Sequence, residues 1–221
     1  MHFNYSSEEQ CRLACAQNGL ALRFVHVQTY ELCKIACANN GLALKYVNHR
    51  TDDICKIACA QDGRALQYVK NQTPEICKIA CAQNGCALQY TYNQTYELCK
   101  IACSRYGYAL KYVHNQTPDI CKIACTQNGR ALEYVLDQTE EICKIACAQD
   151  ECALQYCNTI TTECFAFASE DYLKELYSQL SADKRERIRE LAITRANWPV
   201  FVRGTRDMLC ADVYDHIYRF I

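Results

Sequence analysis

The sequence predicts an all-α fold: an α-solenoid of 22-residue helix-turn-helix repeats with a helical C-terminal cap. Two observations lead to this prediction. The phrase Thr-Pro-Glu-Ile-Cys-Lys-Ile-Ala-Cys-Ala-Gln-Asn-Gly, complete at 73–85, recurs in varied form at an interval of 22 residues. In each recurrence, residues that start helices precede an apolar run of helical spacing. A period of this size is typical of arrays whose units bury their apolar faces against each other.

The repeats align on a serine or threonine at their first position. We therefore expect a leader at 1–6, seven repeats at 7–160, a degenerate eighth repeat serving as a cap at 161–180, and a helical tail at 181–221. A terminal repeat has only one neighbour, so its sequence is expected to diverge. The aligned residues are Ser7, Thr29, Thr51, Thr73, Thr95, Thr117, Thr139 and Thr161.

The first half of each repeat predicts an α-helix of about three turns. Threonine can cap its free amide groups, and Pro74 and Pro118 stand at the first helical position, where a missing N–H costs nothing. An acidic residue follows within the first turn. We expect the helix to stop at a glycine in the left-handed conformation. These glycines are Gly19, Gly41, Gly63, Gly85, Gly107 and Gly129, and the seventh repeat has Glu151 instead.

The second half of each repeat, such as Ala87-Leu88-Gln89-Tyr90, favours a short helix. Its apolar residues at the first, second and fourth places fit one helix face. The alternative is a strand, which would give a helix-plus-strand horseshoe like a leucine-rich repeat. Strand alternation would put a charged or amide side chain on the same face as Ala and Val, and the Leu-x-x-Leu-x-Leu pattern is missing.

Composition and charge argue against several classes of function. The net charge of −1 offers none of the long-range attraction that nucleic acids or anionic membranes require. The first residues lack the basic start and apolar stretch of a secretory signal, and no apolar run is long enough to cross a bilayer. We expect a soluble, intracellular, cytoplasmic protein that binds neither nucleic acid nor membrane.

The repeat phrase resembles a known family. Its Glu-Ile start, Gln-Asn-Gly stop and Ala-Leu-x-Tyr close are similar to a short helical repeat of unknown function that is abundant in giant viruses of amoebae and in some protists. The similarity covers roughly Ser7 to Ile160. It implies an α-helical array in a viral or microbial intracellular setting, in the host cytoplasm if viral, and it implies no activity.

Paired cysteines form a ladder along the array. Two cysteines four residues apart share a helix face, and stacking would align them in rows. One interpretation is packing, since free cysteine behaves as a small buried hydrophobe. The alternative is a thiol-rich metal-binding or redox protein, with zinc or copper(I) held by two adjacent pairs. The pairs are Cys11/Cys15, Cys33/Cys37, Cys55/Cys59, Cys77/Cys81, Cys99/Cys103, Cys121/Cys125 and Cys143/Cys147.

Catalysis has no evident centre in the sequence. The histidines occupy no common repeat position, every array glycine is explained as a helix stop, and none of the 19 cysteines is marked as special. We therefore expect no enzyme, no catalytic residue, no cofactor and no metal.

A scaffold that binds protein partners is the favoured function, and its contacts should lie where the repeats differ. Aromatic and arginine side chains dominate interface energetics, so Arg64, Tyr108 and Arg130 are the expected anchors. The remaining candidates are Leu42 and the linker residues Tyr92 and His114.

The end of the chain carries a second resemblance. The segment from Leu209 to Ile221, within a predicted helix at 205–221, resembles the opening helix of an F-box, similar in placement to the C-terminal F-box of poxviral ankyrin-repeat proteins. That resemblance implies an adaptor which links a repeat-bound target to a host ubiquitin-ligase adaptor protein. The alternative is an amphipathic helix that seals the array or forms a homodimer contact. The residues concerned are Leu209, Val213, Ile217 and Phe220.

Overall fold

The computed structural model describes residues 7–179 and 181–196, and every regular element in these ranges is helical. Seven pairs follow each other, each an α-helix of ten residues and a 3₁₀ helix of six. The α-helices are α1 (Glu8–Gln17), α2 (Tyr30–Asn39), α3 (Asp52–Gln61), α4 (Pro74–Gln83), α5 (Tyr96–Arg105), α6 (Pro118–Gln127) and α7 (Glu140–Gln149). The 3₁₀ helices are η1 (Gly19–Phe24), η2 (Gly41–Tyr46), η3 (Gly63–Tyr68), η4 (Gly85–Tyr90), η5 (Gly107–Tyr112), η6 (Gly129–Tyr134) and η7 (Glu151–Tyr156). The predicted all-α, solenoid-like repeat is confirmed.

The chain divides into two compact units, Met1–Gln127 and Asn128–Ile221. In the first unit each α-helix packs on the next α-helix and each 3₁₀ helix packs on the next 3₁₀ helix, which makes two layers. The second unit contains η6, α7 and η7, followed by α8 (Thr162–Phe165), α9 (Glu170–Gln179) and α10 (Ala182–Ala196).

The helix starts follow the capping pattern expected from the sequence. The side-chain oxygen of Thr73 accepts a hydrogen bond from the backbone N–H of Ile76 at 3.4 Å, and Pro74 is the first residue of α4. Equivalent caps are made by Ser7, Thr29, Thr51, Thr95, Thr117, Thr139 and Thr161. Each cap satisfies an amide group that the first helical turn leaves free.

The prediction of a left-handed glycine at the helix stop is wrong. The glycines at 19, 41, 63, 85 and 129 lack a positive φ, and α4 ends at Asn84 in an extended conformation with φ −145° and ψ 111°. The Asn84 side chain then accepts from the N–H of Cys86 and starts η4 at once. Glycine is needed because the backbones of neighbouring repeats approach closely. A Cβ atom at Gly63 would lie 2.4 Å from the carbonyl oxygen of Ala80 in the next repeat.

The core consists of small and branched side chains at fixed repeat positions. In the fourth pair these are Ile76, Cys77, Ala80 and Cys81 on the α-helix and Ala87 and Leu88 on the 3₁₀ helix. Ala80 and Cys81 are fully buried, and their small size is what permits the close helix approach.

The C-terminal part of the prediction is met where the structure describes it. Within the helical tail expected at 181–221, α10 spans Ala182–Ala196, and its Ile188 and Leu191 are buried. The predicted helix at 205–221 lies outside the described residues. Among the helices that the structure describes, none has both the length and the apolar character needed to cross a membrane.

Candidate functional site

The cysteine ladder lies inside the stack. Cys59 and Cys81 are fully buried, and their partners one turn earlier, Cys55 and Cys77, are nearly so. Burial raises the pKa of Cys59 and Cys81 to about 12, and neighbouring thiols add to the shift. Since the thiolate is the nucleophile and the metal ligand, this burial favours the packing interpretation of the ladder cysteines.

A glutamine at the end of several links joins one repeat to the next. Gln72 donates from Nε2 to the carbonyl oxygen of Tyr90 at 2.8 Å, and its Oε1 accepts from the backbone N–H of Tyr92 at 3.0 Å. The Cys77 thiol also donates to this oxygen at 3.8 Å. The same bridges are made by Gln28, Gln94 and Gln138. Each glutamine therefore satisfies backbone groups of the following repeat.

Arg50 replaces this glutamine in one link of the first unit. Its guanidinium donates to the carbonyl oxygens of Leu44 and Lys45, both at 3.0 Å, within its own repeat. At this link Arg50 therefore places a half-buried positive charge where several other links have the bridging glutamine.

A shallow depression lies beside Arg50. The charged and titratable side chains among its lining residues are Arg23, His26, Lys45 and Arg50, with Tyr46 at the edge. Every charge that lines this depression is positive. A second, smaller depression on the other side of Arg50 includes Lys70.

The depression continues onto the outer face of the 3₁₀ helices. On this face Arg23 lies 4.3 Å from the ring centre of Phe24, and Lys45 lies 5.7 Å from that of Tyr46. Lys111 stacks on Tyr112 in the same way at 4.8 Å. The tyrosines that end η2 to η5 are half-buried and Phe24, which ends η1, is 37% exposed, so aromatic and cationic groups share this surface. We call this surface, from η1 to η5 with the depression at Arg50, the basic aromatic face.

Two of the predicted anchors and one further candidate contact occupy one repeat position on this face. Leu42, Arg64 and Tyr108 each lie in the first turn of their 3₁₀ helix, with Leu42 and Tyr108 half-buried and Arg64 exposed. The guanidinium of Arg64 pairs with Asp62 at 2.7 Å. Its charge is therefore already balanced within the repeat.

The other predicted contacts lie in the second unit or in the links. Arg130 belongs to the second unit and pairs with Asp150 at 2.8 Å. Tyr92 and His114 are exposed in the links after η4 and η5. The candidate adaptor or dimer residues Leu209, Val213, Ile217 and Phe220 lie outside the described residues.

Sequence reasoning missed Arg50, Arg23 and Lys45 as site residues. The signal was present, because Arg50 interrupts a position where the preceding and following links have Gln28 and Gln72. The role of that glutamine could not be predicted, because its hydrogen bonds to the backbone of the next repeat are visible only in the structure.

One comparison with known families gives a match. A family model described as a domain of unknown function, DUF4116, matches residues 95–139, which cover the fifth and sixth repeats. Comparisons with curated proteins and with solved structures find no match.

Proposed function

We propose that the protein is a non-enzymatic, intracellular scaffold whose basic aromatic face binds an acidic segment of a partner protein. The observation that carries this proposal is the depression beside Arg50, in which the charges of Arg23, Lys45 and Arg50 converge. Grouping like charges in a concave surface is unfavourable in the free protein, and a bound carboxylate would relieve that repulsion.

Neighbouring apolar surface suggests that the partner segment also carries an apolar residue. Phe24 is 37% exposed, and Val27, next to His26 in the link, is 82% exposed. Such residues can supply the apolar contact area of an interface, while the surrounding cations select and orient the partner.

A protein segment fits this face better than nucleic acid. Strong binding to single-stranded nucleic acid combines stacked aromatic rings with a continuous basic groove along the backbone. Here the cations at Arg23, Lys45 and Lys111 are interrupted by the paired Arg64 and by the neutral Gln67 and Gln89. The net charge of −1 adds no general attraction for phosphate.

The buried thiols support an intracellular setting. The 18 described cysteines are free, and most lie in a core that needs no covalent bridge. Reducing compartments keep thiols in this state.

The proposal is tested with the full chain and a fluorescently labelled peptide of glutamate and leucine residues. Fluorescence anisotropy should show saturable binding that weakens with salt, and a lysine and leucine peptide of equal length should not bind. The double variant Arg23→Gln/Lys45→Gln should lose most of the affinity. Equal binding of both peptides, or a stronger and saturable response to a single-stranded oligonucleotide, would overturn the proposal.

A further inference from the structure

Three cysteine thiols, those of Cys147, Cys157 and Cys164, converge in the second unit, and only Cys147 belongs to the ladder. Cys143 and Cys147 lie one turn apart on α7, as the ladder pairs do. Cys157 follows η7 at the repeat position that is valine in most other repeats, for example Val69. Cys164 lies on α8 where the second to seventh repeats have isoleucine or leucine.

The sulfur atoms are close enough to share one ion. The Sγ atoms of Cys147 and Cys157 are 3.7 Å apart, and those of Cys147, Cys157 and Cys164 all lie within 4.8 Å of one another. Cys143 lies one turn before Cys147 on α7, and its thiol donates to Gln138 Oε1 at 3.6 Å. In a tetrahedral site with Zn–S bonds of about 2.3 Å, the sulfurs are separated by about 3.8 Å. The spacing of Cys147 and Cys157 already equals such an edge.

The cluster is enclosed. Cys157 and Cys164 are fully buried, and Cys147 and Cys143 are 2% and 4% exposed. Structural zinc sites are closed four-ligand sites of this kind, whereas catalytic sites keep a position open to water.

The surroundings favour a charged sulfur. The Thr161 hydroxyl donates to the Cys164 sulfur at 3.3 Å. Metal binding releases thiol protons, so a cation would take their place in the cluster.

The ladder itself provides the contrast. On α3 the equivalent pair is Cys55 and Cys59, and the positions corresponding to Cys157 and Cys164 hold Val69 and Ile76. Those two aliphatic side chains are buried. The location around Cys55 and Cys59 therefore has two thiols and two aliphatic side chains in place of four thiols. The change of two aliphatic residues to cysteine at one location therefore completes a ligand set.

We propose that Cys143, Cys147, Cys157 and Cys164 form a tetrahedral four-thiolate site for Zn²⁺. Each thiol releases its proton when the ion binds, and the oxidation state of sulfur does not change. The ion would join α7, the segment after η7 and α8, and so fasten the last complete repeat to the segment that follows it. This site is independent of the basic aromatic face.

The test uses the full chain purified under reducing conditions, with metal content measured by mass spectrometry and Co²⁺ as a spectroscopic probe. We expect one equivalent of zinc per chain, and on Co²⁺ exchange, strong visible d–d bands of tetrahedral geometry with thiolate-to-cobalt charge transfer in the near ultraviolet. The variants Cys157→Val and Cys164→Ile restore the residues of the other repeats and should therefore fold. They should abolish the cobalt bands.

The control is Cys59→Ala, which removes the ladder thiol equivalent to Cys147 from a repeat without the cluster. It should keep the full zinc content and cobalt spectrum. Zinc-free protein that also fails to give the tetrahedral cobalt spectrum would overturn the proposal, as would unchanged bands in Cys157→Val. A disulfide between Cys147 and Cys157 in freshly prepared protein would also overturn it, in favour of a redox pair.

Discussion

Gln72 reaches across a repeat boundary to Tyr90, where its side-chain amide donates to the main-chain carbonyl oxygen at 2.8 Å. Its carbonyl oxygen accepts from the next link at the same time. Because this arrangement recurs at several boundaries, the register between repeats is fixed by polar bridges as well as by apolar packing. The stack therefore depends on residues that an apolar pattern does not reveal.

Replacing Gln72 with alanine should destabilise the protein. The variant leaves the carbonyl oxygen of Tyr90 and the N–H of Tyr92 without these partners, and an unsatisfied polar group costs about 1–3 kcal/mol when water cannot replace the partner. Urea unfolding measures the loss. Asn71→Ala, at the exposed neighbouring position, is the control and should change stability little. Equal effects of the two variants would show that the bridge does not matter.

Substitution of Gly63 separates close approach from a left-handed cap. Both alanine and asparagine should destabilise, because any Cβ would meet the carbonyl oxygen of Ala80 at 2.4 Å. Overpacking of this kind costs about 1–3 kcal/mol or more. Thermal and urea unfolding of both variants are the measurements. If asparagine is tolerated much better than alanine, a left-handed conformation is present, since asparagine adopts it more readily.

Alkaline pH should weaken the fold because of the ladder thiols. Burial raises the pKa of Cys59 and Cys81 from 9.0 to about 12, so the unfolded chain loses these protons first. The stability contribution is present below about pH 9 and is lost as the pH rises towards 12. Urea midpoints across this interval should fall, with a smaller slope in Cys59→Ala. A slope that is unchanged in this variant would contradict the assignment.

Thiol labelling should separate the ladder from the cysteines nearer the surface. Cys86 and Cys152 are half-buried, whereas the other described cysteines are buried. With iodoacetamide at mildly alkaline pH, peptide mass spectrometry should find these two modified first among the described cysteines. Ladder thiols should react only after local opening of the stack. Modification of Cys59 or Cys81 at the rate of Cys86 would mean that the stack is far looser than described here.

The repeat phrase was sufficient to predict the helical array and its caps, because these depend on local spacing and capping residues. Glycine was placed correctly but explained wrongly, since the 2.4 Å approach at Gly63 comes from a neighbouring repeat and is invisible in a local pattern. The second helix was expected, but its 3₁₀ form was not. In the sequence, Asn84 and the glycine after it look like an ordinary helix stop. In the structure, the Asn84 side chain caps the start of the 3₁₀ helix η4.

The candidate site was only partly predictable for a related reason. Arginine was expected to be important, but Arg64 is paired with Asp62, two residues away. Arg50 could be recognised as a site residue only after the structure showed that glutamine at this repeat position bridges to the next repeat. Likewise, the sequence analysis did not single out Cys157 and Cys164, because their approach to Cys147 depends on the packing of α8 against α7.

The most direct test of the central claim compares Arg50→Gln with Arg105→Gln in binding the acidic peptide. Both variants remove one positive charge and restore the residue typical of their repeat position, but Arg105 lies at the end of α5. Arg50→Gln should keep or increase stability, since it can restore the bridge, and should weaken binding about tenfold, or ~1.4 kcal/mol. Arg105→Gln should bind like the wild type. Equal affinities for all three proteins would contradict the assignment of the binding surface to the depression at Arg50.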